Sequence, residues 1–352
     1  MPPKKKIKVL HLLSSNRFSG AENVVFQIIN LFNDESFEMV YASRDGQIRE
    51  ACEKEDIKFY PLTKVSINEV SKAVKEYQPD IIHAHDVRAS VVASFFSKKA
   101  KIVSHMHVNH ENMSKCNIKT IIYLARANRF KHIFWVSNSS FNKYKFKDRL
   151  ISRSSILYNV IDPKKIIMKS QSDAKNYDYD VVYLGRLSYQ KNPERLINVL
   201  VKAIKIKEDL RAAIIGTGEL EKKAQDIVRR NKIQDNISFL GFLSNPLKIV
   251  KDAKVMIMTS RFEGTPMCAL EAMALGVPIV STPVDGLVDV IQNDKTGYLS
   301  EDDDMLAEKV VEISCDINEY SRLSSNTLEH FNKINNLSAY YSEIYRVYLA
   351  SM

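Results

Sequence analysis

Glu263 and Glu271 are the first candidates for chemistry because they interrupt an otherwise uncharged segment, EGTPMCALEAMALGVPIV at 263–280. An ionised carboxylate is rarely buried unless something pairs with it, because burial removes its hydration. Each glutamate therefore needs either a partner from the protein or a ligand. The residues alone leave both answers open.

Two cations, Arg186 and Lys191, follow the apolar stretch DVVYLG. At the end of a parallel strand they could neutralise an anionic ligand, arginine through a planar bidentate fork and lysine as a mobile point charge. The same spacing is also typical of solvated surface cations. Both interpretations stand at this point.

Glycine turns follow several apolar runs. IIGTGELE contains Gly216 and Gly218, and FLGFLSNP contains Gly241. Each turn could let the backbone approach a ligand, or could serve packing alone. LSSNRFSGAENVV places Gly20 before a helical pattern, but one glycine does not satisfy G-x-G-x-x-G, which argues against a nicotinamide dinucleotide.

Histidines are concentrated in two strand-like segments, DIIHAH and AKIVSHMH. Residues i and i+2 of a strand share one face, so each H-x-H pair points the same way. A zinc site, one hydrogen-bonding histidine in a cleft, and purely structural use are the alternatives. No cysteine-rich or glutamate-rich partner motif accompanies the pairs, so we predict no metal. Together with His110, which follows the second segment, five of the eight histidines lie between residues 83 and 110: His83, His85, His105, His107 and His110.

Short β-type apolar runs alternate with helical patterns throughout the chain, and the alternation restarts after a polar stretch near 162–178. This pattern predicts an α/β protein with two doubly wound domains of parallel strands. The ligand is then expected where the carboxyl ends of the strands face a shared cleft. Locally, Thr265 is predicted to cap a helix that has Pro266 at its first position and ends at Gly276.

The bulk composition indicates an ordinary globular protein of 352 residues, with 45% hydrophobic and 26% charged residues. Its four cysteines are far apart, which fits a reducing compartment without disulfides. The N-terminus makes no convincing signal peptide, and no segment is long and apolar enough to span a membrane. We therefore expect a cytoplasmic protein.

The net charge of +9 is unevenly distributed, with +12 through residue 165 and −3 in the remainder. The basic half is expected to meet an anionic partner, unless the lysines serve only solubility. The amphipathic segment 118–129 and the basic NKYKFKDRL favour an anionic membrane bound around 114–150, the alternative being that the apolar side packs in the core. No nucleic-acid reader motif is present, so we expect no nucleic-acid partner.

Together these stretches resemble the family 4 glycosyltransferases, retaining enzymes of the GT-B fold that use nucleotide sugars. The resemblance covers residues 7–300, and E-x7-E at Glu263 and Glu271 is its most specific part. The turn Gly-Thr-Pro-Met departs from the common Gly-Phe-Gly-Leu, which leaves the sugar open. The matching segments are SGAE, DIIHAH, IVSHMH, LYNVIDP, YLGRLSYQKNPERLI, IIGTGELE, FLGFLSNP and SRFEGTPMCALEAMALGVPIVST.

The resemblance implies an acceptor-binding Rossmann-like domain at 1–165 and a donor-binding one at 166–325, with C-terminal helices at 326–352 bracing the first. It implies transfer from a UDP- or GDP-linked sugar to a glycan or lipid-linked acceptor in surface polysaccharide synthesis, without cofactor or catalytic metal. The enzyme would be cytoplasmic, at the inner face of the membrane. The alternatives are an epimerase or hydrolase of the same fold, or transfer to a small molecule.

The resemblance also assigns roles to residues. Glu271 would accept hydrogen bonds from the ribose, and Glu263 would hold hydroxyls of the transferred sugar. Arg186 and Lys191 would bind the diphosphate and stabilise its growing charge. His107 would be the active-site histidine, with His105 as the alternative. The remaining donor contacts would come from Gly20, Gly216, Gly218, Gly241, Gly264, Thr265, Pro266 and Met267.

Overall fold

The computed structural model describes residues 6–32, 36–107 and 111–350. Unit 1 comprises Met1–Asn159 and Leu337–Met352, and unit 2 comprises Val160–Asn336. The boundaries therefore lie at 159/160 and 336/337, whereas the sequence placed them at 165/166 and 325/326. The second differs because one continuous helix, Ile317–Ile334, runs across residue 325 and belongs to unit 2.

Unit 1 is built on a seven-stranded parallel sheet with the order β3-β2-β1-β4-β5-β6-β7. Its inner strands are apolar because helices cover both faces of such a sheet, and all four residues of β4 are buried. The strands are β1 (Ile7–Leu12), β2 (Phe37–Arg44), β3 (Phe59–Leu62), β4 (Ile81–Ala84), β5 (Lys101–Met106), β6 (Phe130–Trp135) and β7 (Ser154–Ile156).

The helices of unit 1 connect these strands, and the last helix of the chain also belongs to this unit. They are α1 (Gly20–Leu31), α2 (Ile48–Lys54), α3 (Ile67–Tyr77), α4 (Val87–Ala93), α5 (Ile118–Ala127), α6 (Asn138–Asn142) and the C-terminal Leu337–Ala350. In that last helix Tyr348 is fully buried, and its hydroxyl lies 2.7 Å from Nδ1 of His83.

Unit 2 has a six-stranded parallel sheet with the order β10-β9-β8-β11-β12-β13. Its strands are β8 (Val181–Leu184), β9 (Ala212–Ile215), β10 (Ile237–Gly241), β11 (Val255–Met258), β12 (Ile279–Ser281) and β13 (Gly297–Leu299). Its helices are α7 (Pro163–Gln171), α8 (Pro193–Ile206), α9 (Glu221–Arg230), α10 (Leu247–Asp252), α11 (Met267–Ala274), α12 (Asp285–Val290), α13 (Asp303–Cys315) and α14 (Ile317–Ile334); the C-terminal helix Leu337–Ala350 of unit 1 is α15.

Both sheets reverse their strand order at one place, between β1 and β4 in unit 1 and between β8 and β11 in unit 2. Ligands of open α/β sheets bind at such switch points, outside the carboxyl ends of the strands. The predicted fold class, two doubly wound α/β domains, is confirmed. The short β7 is not part of that predicted pattern, because its SSI is too brief to form an apolar run. No helix among the described residues is long and apolar enough to cross a membrane.

Candidate active site

An ion pair joins the two main sequence motifs in unit 2. Lys191 Nζ lies 2.6 Å from Glu263 Oε1, and the two side chains are 15% and 5% exposed. Burial alone would lower the pKa of Lys191, but the neighbouring carboxylate outweighs burial and raises that pKa above its ordinary value. Lys191 is therefore held as a cation, and Glu263 is satisfied by a partner from the protein.

Two further side chains hold the Glu263 carboxylate. Ser260 Oγ donates a hydrogen bond to Oε1 at 2.5 Å, and Gln190 Nε2 lies 3.4 Å from Oε2. Lys191 follows β8 and Glu263 follows β11, so the pair sits at the switch point of the sheet. The topology thus brings together residues that are 72 positions apart in the chain.

The turn that carries Glu263 is also fixed by the start of α12. The Glu263 N–H donates to Asp285 Oδ2 at 3.2 Å. A Cβ atom built on Gly286 would lie 1.5 Å from the carbonyl oxygen of Gly264, so only glycine fits there. Contacts on two sides give this carboxylate a defined position before any ligand binds.

Glu271, in the middle of α11, has no such partner. Its carboxylate forms no hydrogen bond or ion pair with any described residue, although the side chain is only partly exposed. Burial raises the pKa of Glu271 to about 7, and the charge of Lys169 in α7 offsets this only in part. A partly buried carboxyl group without a protein partner is a group that a ligand can satisfy.

The raised pKa of Glu271 makes a prediction about stability. The folded-state pKa of about 7 lies above the ordinary value of 4.5, so folding favours the protonated form and the stability it contributes is lost as the pH rises through 7. Urea unfolding should be measured for wild type and Glu271→Gln at pH 5 and pH 8. The free energy of unfolding of the variant, relative to that of wild type, should be higher at pH 8 than at pH 5 by on the order of 2 kcal/mol. Parallel pH profiles of the two proteins would contradict the assignment.

Helix α11 begins one residue later than predicted. Thr265 was expected as the N-cap, but Pro266 occupies that position with an extended ψ of 123°, and no side chain caps the helix. That ψ value places Pro266 outside the helix, so Met267 is its first residue. The predicted end is confirmed, because Gly276 adopts a φ of +72° with the backbone hydrogen bonds of a Schellman motif.

Arg186 and the glycine turns flank the ion pair at the carboxyl ends of β8 to β10. The exposed Arg186 side chain forms no hydrogen bond or ion pair within the part of the chain that the structure describes. A Cβ atom on Gly216 would lie 2.0 Å from the Gly185 oxygen, so this glycine is required by contact between two loops. The same holds for Gly218, whereas Gly241 needs its φ of +65° but has open space beside it.

Unit 1 holds the other predicted residues. Gly20 is the exposed first residue of α1. His105 lies inside β5 and is fully buried, whereas His107 follows the end of that strand and is 8% exposed. His110 lies outside the described residues. The sequence analysis overlooked Glu22 in SGAE, which is buried and accepts a hydrogen bond from Ser19 Oγ at 2.5 Å.

Five histidines form one buried layer on the sheet of unit 1. In the register of β1 with β4, His11 is the partner of His83. Two sets of nitrogens lie close enough to hold a metal, within 4.8 Å of one another. Tetrahedral zinc needs nitrogens roughly 3.4 Å apart, from Zn–N bonds of about 2.1 Å. Two of these pairs are instead 2.9 Å apart, which is a hydrogen-bond distance. The layer comprises His11, His83, His85, His105 and His107.

The family model for group 1 glycosyl transferases matches residues 164–330, which is nearly all of unit 2. Residues 164–330 therefore form a group 1 glycosyltransferase domain. This confirms the predicted enzyme class, and the match contains both glutamates and both cations of the site.

Two known proteins resemble this chain along most of its length, and a third resembles less than half of it. The lipopolysaccharide 1,6-galactosyltransferase of Escherichia coli K12 is 26% identical over 314 residues, covering 82% of this chain and 83% of that protein. An N-acetylgalactosaminyltransferase of Campylobacter jejuni, named for a diphospho-undecaprenol-linked substrate, is 29% identical but covers only 43% and 41%. The crystal structure of Anabaena Alr3699/HepE with UDP-glucose aligns with a TM-score of 0.84 at 20% identity, covering 98% of this chain and all of that one. The fold is GT-B.

Sequence reasoning missed the residues that position Glu263. Ser260 lies two residues after β11, and Asp285 and Gly286 begin α12, four residues after β12. Their place shortly after a strand was an available signal. Gln190 precedes Lys191 in the loop after β8 and carried no signal of its own. Burial raises the pKa of the Cys268 thiol, beside the ion pair, to about 11, which favours the protonated thiol over the nucleophilic thiolate.

Proposed function

We propose that this protein is a retaining family 4 glycosyltransferase that transfers a sugar from a UDP-linked donor bound by unit 2. One observation carries the proposal: Glu271 is a partly buried carboxyl group to which no described residue donates a hydrogen bond. A ribose diol offers two O–H donors to the two oxygens of a carboxylate. UDP is favoured over GDP because the similar Anabaena protein binds UDP and UDP-glucose.

The other site residues take the roles that their positions allow. Arg186 and Lys191, both after β8, bind the diphosphate, and their charge stabilises the leaving group as the glycosidic bond breaks. Glu263, held beside Lys191, accepts hydrogen bonds from hydroxyls of the sugar. The backbone from Gly264 to Met267 contacts the same sugar, and the first-turn N–H groups of α11 have no acceptor within the helix. Gly216, Gly218 and Gly241 border the base.

Retention of the sugar's configuration fits the bonding of Glu263. A glycosidase-type nucleophile needs a carboxylate that is free to attack the anomeric carbon. Here Oε1 of Glu263 already accepts hydrogen bonds from Lys191 and Ser260, which lowers its nucleophilicity. The leaving phosphate is then the base that assists the acceptor hydroxyl on the same face of the sugar. Two protein cations at the phosphates make a catalytic metal unnecessary.

The acceptor proposed here is a lipid-linked glycan of surface polysaccharide synthesis. The names of the two relatives support this class, one acting in lipopolysaccharide synthesis and the other on a diphospho-undecaprenol-linked substrate. A lipid-linked acceptor is reached at a membrane surface. We therefore place the enzyme in the cytoplasm, at the inner face of the membrane.

A surface of α5 supports membrane binding. Ile118, Ile121 and Ile122 are 76%, 49% and 44% exposed, so this side of the helix does not pack in the core. The buried side is formed by other residues, among them Tyr123. Phe95 beside the helix is 51% exposed and lies under the Arg126 guanidinium at 4.0 Å. An apolar strip edged by cations is the pattern of a helix that rests on an anionic bilayer.

Membrane binding can be tested by co-sedimentation with vesicles of phosphatidylglycerol and phosphatidylcholine across a salt series. Changing Ile118, Ile121 and Ile122 to Ser should abolish binding without lowering the melting temperature, because these side chains are exposed. Changing Lys143, Lys145 and Lys147 to Glu should weaken binding on the order of a hundredfold or more, since each cation near the surface adds about 1 kcal/mol.

The matched control reverses the same number of charges in unit 2, at exposed lysines that form no ion pair among the described residues: Lys205, Lys222 and Lys251. This control should bind vesicles like wild type. If both lysine-to-glutamate triple variants lost vesicle binding equally, the effect would be one of net charge. If the wild-type protein did not bind the vesicles even at low salt, the proposal would be refuted.

The donor proposal is tested by thermal shift with a panel of nucleotides and nucleotide sugars, followed by product analysis. UDP and one UDP-sugar should raise the melting temperature, whereas the GDP compounds should not. With membrane extract as the acceptor source, the labelled sugar should become lipid-linked. Free or isomerised sugar formed without acceptor would indicate a hydrolase or epimerase, and water-soluble conjugates would indicate a small-molecule acceptor.

A further inference from the structure

The histidine layer of unit 1 contains a continuous hydrogen-bonded row. His11 Nε2 lies 3.4 Å from the sulfur of Met39, and His11 Nδ1 lies 2.9 Å from His85 Nε2. His85 Nδ1 in turn lies 2.9 Å from His107 Nε2. The Nδ1 atom of His107 is buried and has no hydrogen-bond partner among the described residues. The row therefore runs from a thioether in β2 to the carboxyl end of β5.

All three imidazoles in this row are neutral. Burial lowers the pKa of His11 and of His107 to about 3, and it lowers the pKa of His85 well below the ordinary value. A neutral imidazole carries one proton, so one nitrogen donates and the other accepts. The tautomer of each ring therefore depends on the tautomer of its neighbour.

The thioether decides the direction of the row. Met39 has no proton to donate, so a hydrogen bond at this contact requires the proton to be on His11 Nε2. His11 Nδ1 then accepts from His85 Nε2–H, and His85 Nδ1 accepts from His107 Nε2–H. The opposite direction would set two lone pairs against each other at Met39. The last ring is left with a lone pair on Nδ1 of His107.

We infer that Met39, His11 and His85 are positioning residues that fix the tautomer of His107, so that its Nδ1 is an acceptor for a hydroxyl of an acceptor substrate bound by unit 1. The inference rests on the proposed function for the identity of the ligand. The row itself rests only on the geometry of unit 1. A lone pair at this place selects a donor group, and it disfavours acceptor-only groups such as fluorine or a carboxylate.

The tautomers can be measured directly in the full-length protein labelled with 15N-histidine. Long-range 1H–15N correlation distinguishes a protonated ring nitrogen from one that carries a lone pair. His11, His85 and His107 should each show protonated Nε2 and unprotonated Nδ1. In His11→Leu, His85 loses its acceptor, and His107 should shift to the Nδ1–H form or to a mixture. Tyr348→Phe, which removes the partner of His83 only, should leave the His107 signal unchanged.

A functional readout uses hydroxyl and fluoro analogues of the acceptor substrate. With the wild-type enzyme, kcat/KM should be about tenfold lower for the analogue that carries fluorine in place of the hydroxyl that His107 contacts. In His11→Leu, most of this difference between the two analogues should disappear. Tyr348→Phe should retain it. If His11 has a purely structural role, His11→Leu would lower kcat/KM equally for both analogues, and this result would refute the inference.

Two other results would overturn the row while leaving the donor site of unit 2 intact. One is protonated Nδ1 on His107 in the wild-type protein. The other is stoichiometric zinc in protein purified without chelator, lost in His105→Ala, because these nitrogens would then be metal ligands. Calorimetric binding of UDP would be unaffected in either case, so failure of the row and failure of the proposed function are distinguishable.

Discussion

Replacing Lys191 with Ala is expected to lower both the stability and the activity of this glycosyltransferase. Lys191 neutralises Glu263, which is 5% exposed, and removing one partner of a buried pair leaves an uncompensated charge. The expected loss in the free energy of unfolding is about 3 kcal/mol, measured by urea denaturation. The turnover number should fall on the order of a hundredfold or more, because the variant lacks a cation that stabilises the negative charge of the diphosphate in the transition state.

The two effects of Lys191 can be separated. In the double variant Lys191→Met/Glu263→Gln the buried charge is gone, so most of the lost stability should return while turnover stays low. Lys333→Met serves as a control, because its pair with Glu329 lies at the surface and should contribute little to stability. Recovery of turnover in the double variant would show that Lys191 acts only through the structure.

Glu271→Ala is expected to abolish most of the affinity for UDP. Two hydrogen bonds from ribose hydroxyls to a carboxylate are together worth roughly 3 kcal/mol, which is about a hundredfold in Kd. Calorimetry should show this loss, and the affinity of Glu271→Gln for UDP should lie between those of wild type and Glu271→Ala. Because burial raises the pKa of Glu271 to about 7, wild-type affinity should also fall between pH 8 and pH 6, and Glu271→Gln should not show this fall.

The matched control for Glu271 changes the ligand instead of the protein. Wild type should bind 2′,3′-dideoxy-UDP about as weakly as Glu271→Ala binds UDP, and the variant should not distinguish the two nucleotides. A variant that still discriminates between them would place the ribose elsewhere. Unchanged affinity of Glu271→Ala for UDP would refute the ribose assignment altogether.

The fold was predictable because its signals are local. Parallel strands covered on both faces are short apolar runs, and those runs are visible one by one in the sequence. Strand ends were equally clear, so the sequence placed Arg186 and Lys191 at the end of a strand. The strand of residues 154–156 was missed because three residues carry no periodicity. The start of the helix after Glu263 was misplaced because Pro266 has an extended ψ, which its residue type does not determine.

The contacts within the site were not predictable, because they depend on topology. Lys191 and Glu263 pair across 72 residues only because β8 and β11 are neighbours in the sheet. Nothing in the sequence distinguishes Glu263, which pairs with Lys191, from Glu271, to which no described residue donates a hydrogen bond. The histidine row likewise depends on the register of three strands, and its direction depends on the sulfur of Met39.

The glycines show how one residue type can serve two purposes. The sequence analysis left open whether Gly216 and Gly218 allow close approach to a ligand or serve packing alone. The structure shows that both glycines lie against the backbone of the loop after β8. A Cβ atom on Gly216 would lie 2.0 Å from a carbonyl oxygen of that loop, and one on Gly218 would lie 2.2 Å from another. These glycines are therefore needed by the fold whether or not a nucleotide touches them, and their contact with the base stays a prediction.

A crystal structure of the protein with bound UDP tests the central claim most directly. The account predicts both ribose hydroxyls within hydrogen-bond distance of the Glu271 carboxylate, and the diphosphate in contact with Arg186 and Lys191. A nucleotide whose ribose hydroxyls point away from Glu271, or one bound outside unit 2, would contradict it.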